Sequence, residues 1–350
     1  MKYDYLILGG GVSGHRAAEE VRKLDSVGSI AIVTDEKYRL YSRVLLPHFL
    51  SGKIPREKVF LVKPEWYAEH AIDYLPGKNI LRVDAESKVV ELSGGEVIGY
   101  KKMLLATGCH ARKTEITGTV ALNFRNLDDA DRIAIELAKL EALPIEKRIV
   151  GVYGAGFIAV EFINLFAARG CRIHIFYRGE RFWARQLDEK SSALLEARLV
   201  AGNCVLHPRS ELKDVQEFAS QLVCLGIGLG VIPQNSFAVS DSTDIWTAGD
   251  VTGSGTWQSA DMQGRLVGKN MVAGTHEIFK LIPSQAINVI DVPVTMIGDA
   301  HPEKAEKVEI SEALGGVIQK MYRDQKLVGV TLVGTARERA ELKSEIENFA

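Results

Sequence analysis

Gly9, Gly11 and Gly14 follow the spacing Gly-x-Gly-x-x-Gly, and Gly154, Gly156 and Ala159 repeat it with alanine in the last place. In such a turn the first glycine permits a tight bend and the second lets the backbone approach a pyrophosphate. The third lets helix and strand pack closely, while the helix N-terminus offers free N–H groups to the anion. Alanine is a permitted variant at the third place. The chemistry implied is the holding of a dinucleotide, twice. An acid about 20 residues beyond such a turn hydrogen-bonds the ribose hydroxyls, and Asp35 or Glu36 can do this for the first turn, with nothing in the sequence to separate them. After the second turn that place is taken by Tyr177, followed by Arg178 and Arg181. A missing carboxylate beside arginines suits a 2′-phosphate, so NADPH is favoured over NADH. Glu161 lies five residues after Gly156, among Phe157, Ile158, Phe162 and Ile163. A carboxylate in that company needs something polar to meet it.

Each turn sits between a strand and a helix. Tyr5–Leu8 is a short apolar run suited to a buried parallel strand, the Ala-rich stretch after Gly14 reads as an amphipathic helix ending near Lys23, and Ile30–Val33 is the returning strand. The same order recurs as strand Ile149–Val152, a helix through Arg169 and strand Cys171–Phe176. Val89–Leu92 and Met103–Ala106 read as strands between the repeats, and Asp128–Leu140 as a helix with Asp near its start. Beyond Pro283 the texture changes: Val289–Ile297, Gly316–Tyr322 and Leu327–Val333 read as strands, and Ala336–Phe349 as a charged helix. The expected fold class is α/β, with two Rossmann-like dinucleotide-binding domains, one inserted in the other, plus a small C-terminal α+β domain.

The 350 residues carry 43 basic and 45 acidic side chains, a net charge of −2, so no overall field collects nucleic acid or anionic lipid and partners must be recognised locally. The N-terminal apolar run breaks into glycine too soon for a signal-peptide core or a membrane span, which gives the expectation of a cytoplasmic protein without membrane attachment. Cys109, Cys171, Cys204 and Cys224 are too far apart in sequence for a zinc site or a redox disulfide. They read as buried structural thiols, and no metal is expected.

The order of the first glycine turn, Tyr41-Ser42-Arg43, Ala106-Thr107-Gly108, the second glycine turn running into Phe157-Ile158-Ala159-Val160-Glu161, and Thr247-Ala248-Gly249-Asp250 resembles the FAD-dependent pyridine nucleotide-disulfide oxidoreductases over nearly the whole chain. Tyr41-Ser42-Arg43-Val44-Leu45-Leu46 is most similar to the branch that lacks the redox disulfide: rubredoxin and ferredoxin reductases and the flavin module of nitrite reductases. The resemblance implies that Gly9, Gly11 and Gly14 hold the FAD pyrophosphate and that Arg43 lies near the flavin phosphates or ring edge. It puts Thr107 and Gly108 on the crossover back to the FAD domain, Asp250 on the ribityl chain and pyrophosphate at the head of a helix, and Trp257 beside the flavin. Glu161 would hold the nicotinamide carboxamide, the one catalytic residue implied.

On this resemblance the FAD-binding domain comprises residues 1–115 and 233–282, a shortened NAD(P)H-binding domain residues 116–232, and the C-terminal domain residues 283–350. Gly226-Ile227-Gly228 and Pro233 resemble the return step, the stretch from Cys204 to Trp246 looks shortened, and Pro47-His48 replaces the Ser-Lys common in ferredoxin-reductase relatives. The implied activity is FAD-dependent NAD(P)H oxidoreduction, with a small redox protein as the leading acceptor. An NAD(P)H oxidase or quinone reductase, or a non-catalytic flavin-binding redox subunit, stays open as an alternative, as does a homodimer.

Overall fold

The computed structural model describes residues 1–111, 120–217, 222–225, 229–231, 243–253, 255–277, 279–313, 315–335 and 337–349. The return step expected at Gly226-Ile227-Gly228 and Pro233 lies outside them. The chain divides into two compact units, one of Met1–His110 with Leu229–Leu281, the other of Ala111–Gly228 with Ile282–Ala350.

The first unit is built on a seven-stranded sheet. Lys2–Leu8 runs parallel to Ile30–Val33 on one side and to Val97–Leu105 on the other, with Tyr5 opposite Ile30 and Leu8 opposite Leu105. Ile72–Leu75 extends the sheet beyond Ile30–Val33, and Ile245–Thr247 pairs with Val97–Leu105 from the far side. The strand order therefore reverses at Lys2–Leu8, and a crevice opens at the carboxyl ends of strands at such a switch point. Leu6, Ile7 and Leu8 are fully buried because both sheet faces are covered. The helices Val12–Leu24 and Trp257–Ala273 pack closely: a Cβ built on Gly264 would come 2.3 Å from the Ser13 carbonyl oxygen, and one on Gly268 would come 2.6 Å from that of Ala17. Ser13 Oγ seals the pair by donating to the Ala260 carbonyl at 2.6 Å. These small residues bring the Gly9–Gly14 turn and the segment around Gly249 together.

The second unit repeats the logic with a five-stranded parallel sheet in the order Cys204–His207, Arg172–Phe176, Ile149–Tyr153, Leu222–Leu225, Val120–Leu122. Its switch point is at Ile149–Tyr153, the strand that feeds the second glycine turn. Asn126 caps the helix Leu127–Glu141 in a capping box with Asp129, so that helix begins slightly before the Asp128 expected from sequence. The C-terminal segment forms an antiparallel five-stranded sheet with the helix Arg339–Phe349 packed on it through Leu342 and Ile346. Where the sequence suggests one strand over Val289–Ile297, the chain turns at Ile290, whose φ is +60°, between strands Ser284–Val289 and Val292–Gly298. Asn164, on the helix Phe157–Ala167, holds that turn from both sides: its amide donates to the Asn288 carbonyl at 2.6 Å, and its oxygen accepts from the Ile290 N–H at 2.8 Å. Among the described residues no helix is long and apolar enough to cross a membrane.

Candidate dinucleotide sites

The two glycine turns have the same geometry. Gly9 and Gly154 take φ of +127° and +128°, and their N–H groups donate at 2.8 Å to the last carbonyl of the returning strand, Val33 and Phe176. A side chain is strained at that φ, and at Gly9 it also meets backbone, since a Cβ would lie 2.0 Å from the Ala106 carbonyl oxygen. At Gly14 a Cβ would lie 2.1 Å from the Gly9 carbonyl oxygen, the close helix-to-strand approach that the third position demands. Ala159 is buried at the matching place in the second turn, which accepts its methyl group. Gly11 and Gly156 are the extended N-caps of the helices Val12–Leu24 and Phe157–Ala167, and neither helix end is capped by a side chain. These N-termini keep their N–H groups and positive dipole ends turned to an incoming anion.

Around the first turn the structure gathers Glu36, Tyr41, Arg43, Thr107, Cys109 and Asp250 from four separate segments. Glu36 and Asp35 differ in what they face. Asp35 is exposed, whereas Glu36 is half-buried and accepts hydrogen bonds from the Tyr41 hydroxyl and the Arg43 guanidinium. Burial pulls Arg43 down, but Tyr41, Glu36, Asp250 and Cys109 outweigh it and hold the guanidinium above its ordinary value. Arg43 is therefore a permanent cation. A Cβ on Gly11 would meet nothing closer than Arg43 Nη1 at 3.5 Å, so the backbone there is open on the side the guanidinium faces. Arg43 Nε and Thr107 Oγ1 are buried without a hydrogen-bond partner among the described residues. Two orphaned polar groups beside an uncapped helix N-terminus suit the phosphates and ribityl hydroxyls of a flavin dinucleotide, so the residues present fit FAD. Gly108, at φ +69°, turns the chain away from Thr107.

Asp250 opens a single 3₁₀ turn, Asp250–Thr252, rather than the α-helix, which begins at the half-buried Trp257 with Thr256 as its N-cap. Gly249 precedes it at φ +84° and donates its N–H to Gln263 Oε1 at 2.7 Å, which fixes where the carboxylate emerges. The thiol of Cys109 donates to Asp250 Oδ2 at 3.5 Å. Sequence reasoning gave Cys109 no part, yet it supports the carboxylate expected to bind FAD. Asp250→Ala is expected to weaken FAD binding by about 1.5–3 kcal/mol, the worth of a hydrogen bond to a charged group, or roughly 10- to 100-fold in Kd. Cys109→Ala should cost far less, because only the thiol contact is lost. Fluorescence titration of apoprotein with FAD reads both, and an unchanged Kd in the Asp250 variant would remove this residue from the site.

Beside the second turn, Tyr177 is buried and its hydroxyl lies 3.3 Å from Glu196 Oε1, on the helix Glu189–Ala201, so its ring packs inward instead of facing the crevice. What the place presents outward is cationic. Arg178 is exposed, and Arg181 is half-buried with Nε lacking a hydrogen-bond partner among the described residues. A further guanidinium arrives from just beyond the strand Cys204–His207: that of Arg209, whose backbone N–H donates to the Gly179 carbonyl at 2.9 Å. Glu180 lies between Arg181 at 3.8 Å and Arg209 at 3.7 Å. Arg209 was not legible as a site residue, because only the pairing of Cys204–His207 with Arg172–Phe176 brings it there. Glu161 is half-buried, one turn into the helix that Gly156 caps, and its neighbours Phe162 and Ile163 are fully buried.

Two sheets that each reverse order at a glycine turn, each turn feeding an uncapped helix, make two dinucleotide-binding frames in one chain. The chain belongs to the pyridine nucleotide-disulphide oxidoreductase family, whose model matches residues 3–227. It is similar to the NADH-rubredoxin oxidoreductase of Clostridium acetobutylicum, 24% identical over 366 residues that cover 98% of this chain and 94% of that protein. It is also similar to the assimilatory nitrate reductase electron transfer subunit of Bacillus subtilis, 23% identical over 98% of this chain and 49% of that protein. Among solved structures, the Clostridium acetobutylicum NADH:rubredoxin oxidoreductase aligns with a TM-score of 0.84 at 22% identity, covering 99% of this chain and 96% of that one. The reductase in the covalent putidaredoxin reductase–putidaredoxin complex aligns at 0.82 and 19% identity, covering 99% and 93%. These likenesses agree with the expected non-disulfide branch.

Proposed function

We propose that the protein passes electrons from NADPH through FAD to a small one-electron carrier. The observation that carries this reading is the duplicated glycine turn with an uncapped helix behind each copy, together with Arg43 Nε beside one copy and Arg181 Nε beside the other, both buried and without a hydrogen bond among the described residues. In this reading Gly9–Gly14, Glu36, Arg43, Thr107 and Asp250 hold FAD in a unit made of residues 1–110 and 229–281, and Trp257 lies beside the flavin. Gly154, Gly156, Ala159, Arg178, Arg181 and Arg209 hold the coenzyme. Bound FAD supplies hydride acceptance from a nicotinamide and single-electron release afterwards. The protein's own part is orientation: Glu161 accepts hydrogen bonds from the carboxamide and fixes which ring face is presented. Asp35, exposed, is left out of the ribose contact in favour of Glu36.

The Clostridium acetobutylicum relative above is named for NADH, and the case for NADPH rests on the arginines. Two or three guanidiniums meet a 2′-phosphate with charge-assisted hydrogen bonds, whereas Glu180 gives the site a weak internal counter-ion when only a ribose hydroxyl is present. NADPH should reduce the enzyme with the higher kcat/KM, by about 10-fold for each roughly 1.4 kcal/mol of differential binding. Arg178→Ala and Arg181→Ala should harm NADPH and spare NADH, while Glu161→Ala should slow both alike, because the nicotinamide end is common to them. Anaerobic kinetics with each coenzyme measure this. Equal use of NADH by wild type and both arginine variants, with no NADPH advantage to lose, would leave these arginines as surface charges.

A further inference from the structure

The chain as a whole is nearly neutral, yet seven Lys or Arg and a single Glu fall between residues 37 and 63. Lys37, Lys53, Lys58 and Lys63 are exposed, and Arg39 and Arg56 half-exposed. An aromatic plate orders three of these cations. The rings of Tyr38 and Phe60 lie 6.4 Å apart; Lys37 sits 5.1 Å and Arg56 5.5 Å from the Tyr38 centroid, and Arg39 sits 3.9 Å from that of Phe60. Cations stacked on rings are pre-positioned and lose little freedom on meeting an anion. Val44 and Leu61 of the same segment expose 56% and 43% of their surface, apolar area that a docked protein could cover. The plate continues through Tyr41, edge-on to both Tyr38 and Phe60, to Glu36 and Arg43 of the proposed FAD site.

We propose that this face docks an acidic protein, the one-electron acceptor; the inference rests on the electron-transfer reading above and deepens it by naming the surface. Complementary charge raises encounter rates by 10- to 10³-fold at low salt and fades beyond a Debye length of about 10 Å at 0.1 M. A membrane surface is the poorer occupant, since the segment offers loops and short turns rather than a long amphipathic helix with a cationic face.

The test uses the FAD-loaded protein and, as the probe, a rubredoxin chosen for its net negative charge. Binding of oxidised rubredoxin is read by calorimetry, so it does not depend on flavin turnover. The double variant Arg56→Glu, Lys58→Glu should bind at least about 10-fold more weakly than wild type at about 0.02 M salt, with the difference shrinking near 0.5 M. The neutral pair Arg56→Gln, Lys58→Gln should fall between. Reduction of the flavin by NADPH and its reoxidation by a neutral benzoquinone should be the same in all three. The proposal is overturned if wild type does not bind rubredoxin, if the charge-reversed variant binds it equally well, or if only phosphatidylglycerol vesicles bind. Rubredoxin that binds through this face but is never reduced would instead overturn the electron-transfer reading alone.

Discussion

Gly9→Ala is expected to destabilise the first unit by about 2–6 kcal/mol and to weaken its hold on flavin for that reason, whereas Gly11→Ala should fold normally and still fail to hold flavin. At Gly9 the added methyl group pays twice. The residue would have to keep φ at +127°, which costs an L-residue roughly 1–3 kcal/mol, and its Cβ would stand 2.0 Å from the Ala106 carbonyl oxygen, a backbone atom that cannot step aside. Overpacking of that kind costs about 1–3 kcal/mol more, and the two together take a large share of the margin of about 5–15 kcal/mol by which a domain is stable. Gly11 has φ −79°, and its Cβ would meet only Arg43 Nη1 at the ordinary distance of 3.5 Å, so the fold tolerates the change. The methyl group would instead occupy the approach to the pyrophosphate. Thermal unfolding of the two apoproteins, followed by titration with FAD, separates the cases. A Gly9 variant with the wild-type Tm, or a Gly11 variant with the wild-type Kd for FAD, would contradict the role given to that glycine.

The second large effect is expected at Gly156→Ala, which should lower kcat/KM for NADPH and NADH together by about 100-fold, the equivalent of roughly 2.7 kcal/mol, with no loss of stability. No heavy atom lies within 4 Å of a Cβ built on Gly156, and its extended backbone suits any residue. The methyl group is harmless to the fold and obstructive only to a pyrophosphate seated on the N-terminus of Phe157–Ala167. Because the obstruction lies at the part common to both coenzymes, the ratio between them should not change, unlike the effect of Arg181→Ala. Stopped-flow reduction across a range of coenzyme concentrations, paired with a melting curve, measures both quantities. Unimpaired reduction would place the coenzyme elsewhere.

Both turns were legible in the sequence because what they require is local: a backbone conformation and a close approach that glycine alone meets cheaply, next to strands with continuous apolar runs. Direction of side chains was not local and was not legible. Asp35 and Glu36 are equivalent as letters, and only the positions of Tyr41 and Arg43 turn one of them inward. Tyr177 stands where a ribose ligand would, but Glu196, nineteen residues on, takes its hydroxyl into the interior. Arg209 and Cys109 reach their sites through sheet pairing and through the return of the chain near Asp250, relations that no spacing rule records. The grouping of the C-terminal sheet with residues 111–228 depends likewise on contacts such as Asn164 with Asn288, made across 124 positions of sequence.

The central claim is that one chain holds FAD at the first turn and a nicotinamide coenzyme at the second, and passes hydride between them. It is tested most directly by mixing the FAD-loaded protein with NADPH in an anaerobic stopped-flow cell and following the visible flavin band. The account predicts that the band bleaches with one equivalent of NADPH per FAD, faster than with NADH, and that Gly156→Ala slows the bleaching while the bound FAD is retained. A protein that binds no FAD, or one whose bound FAD keeps its oxidised spectrum under excess NADPH and NADH alike, would contradict it.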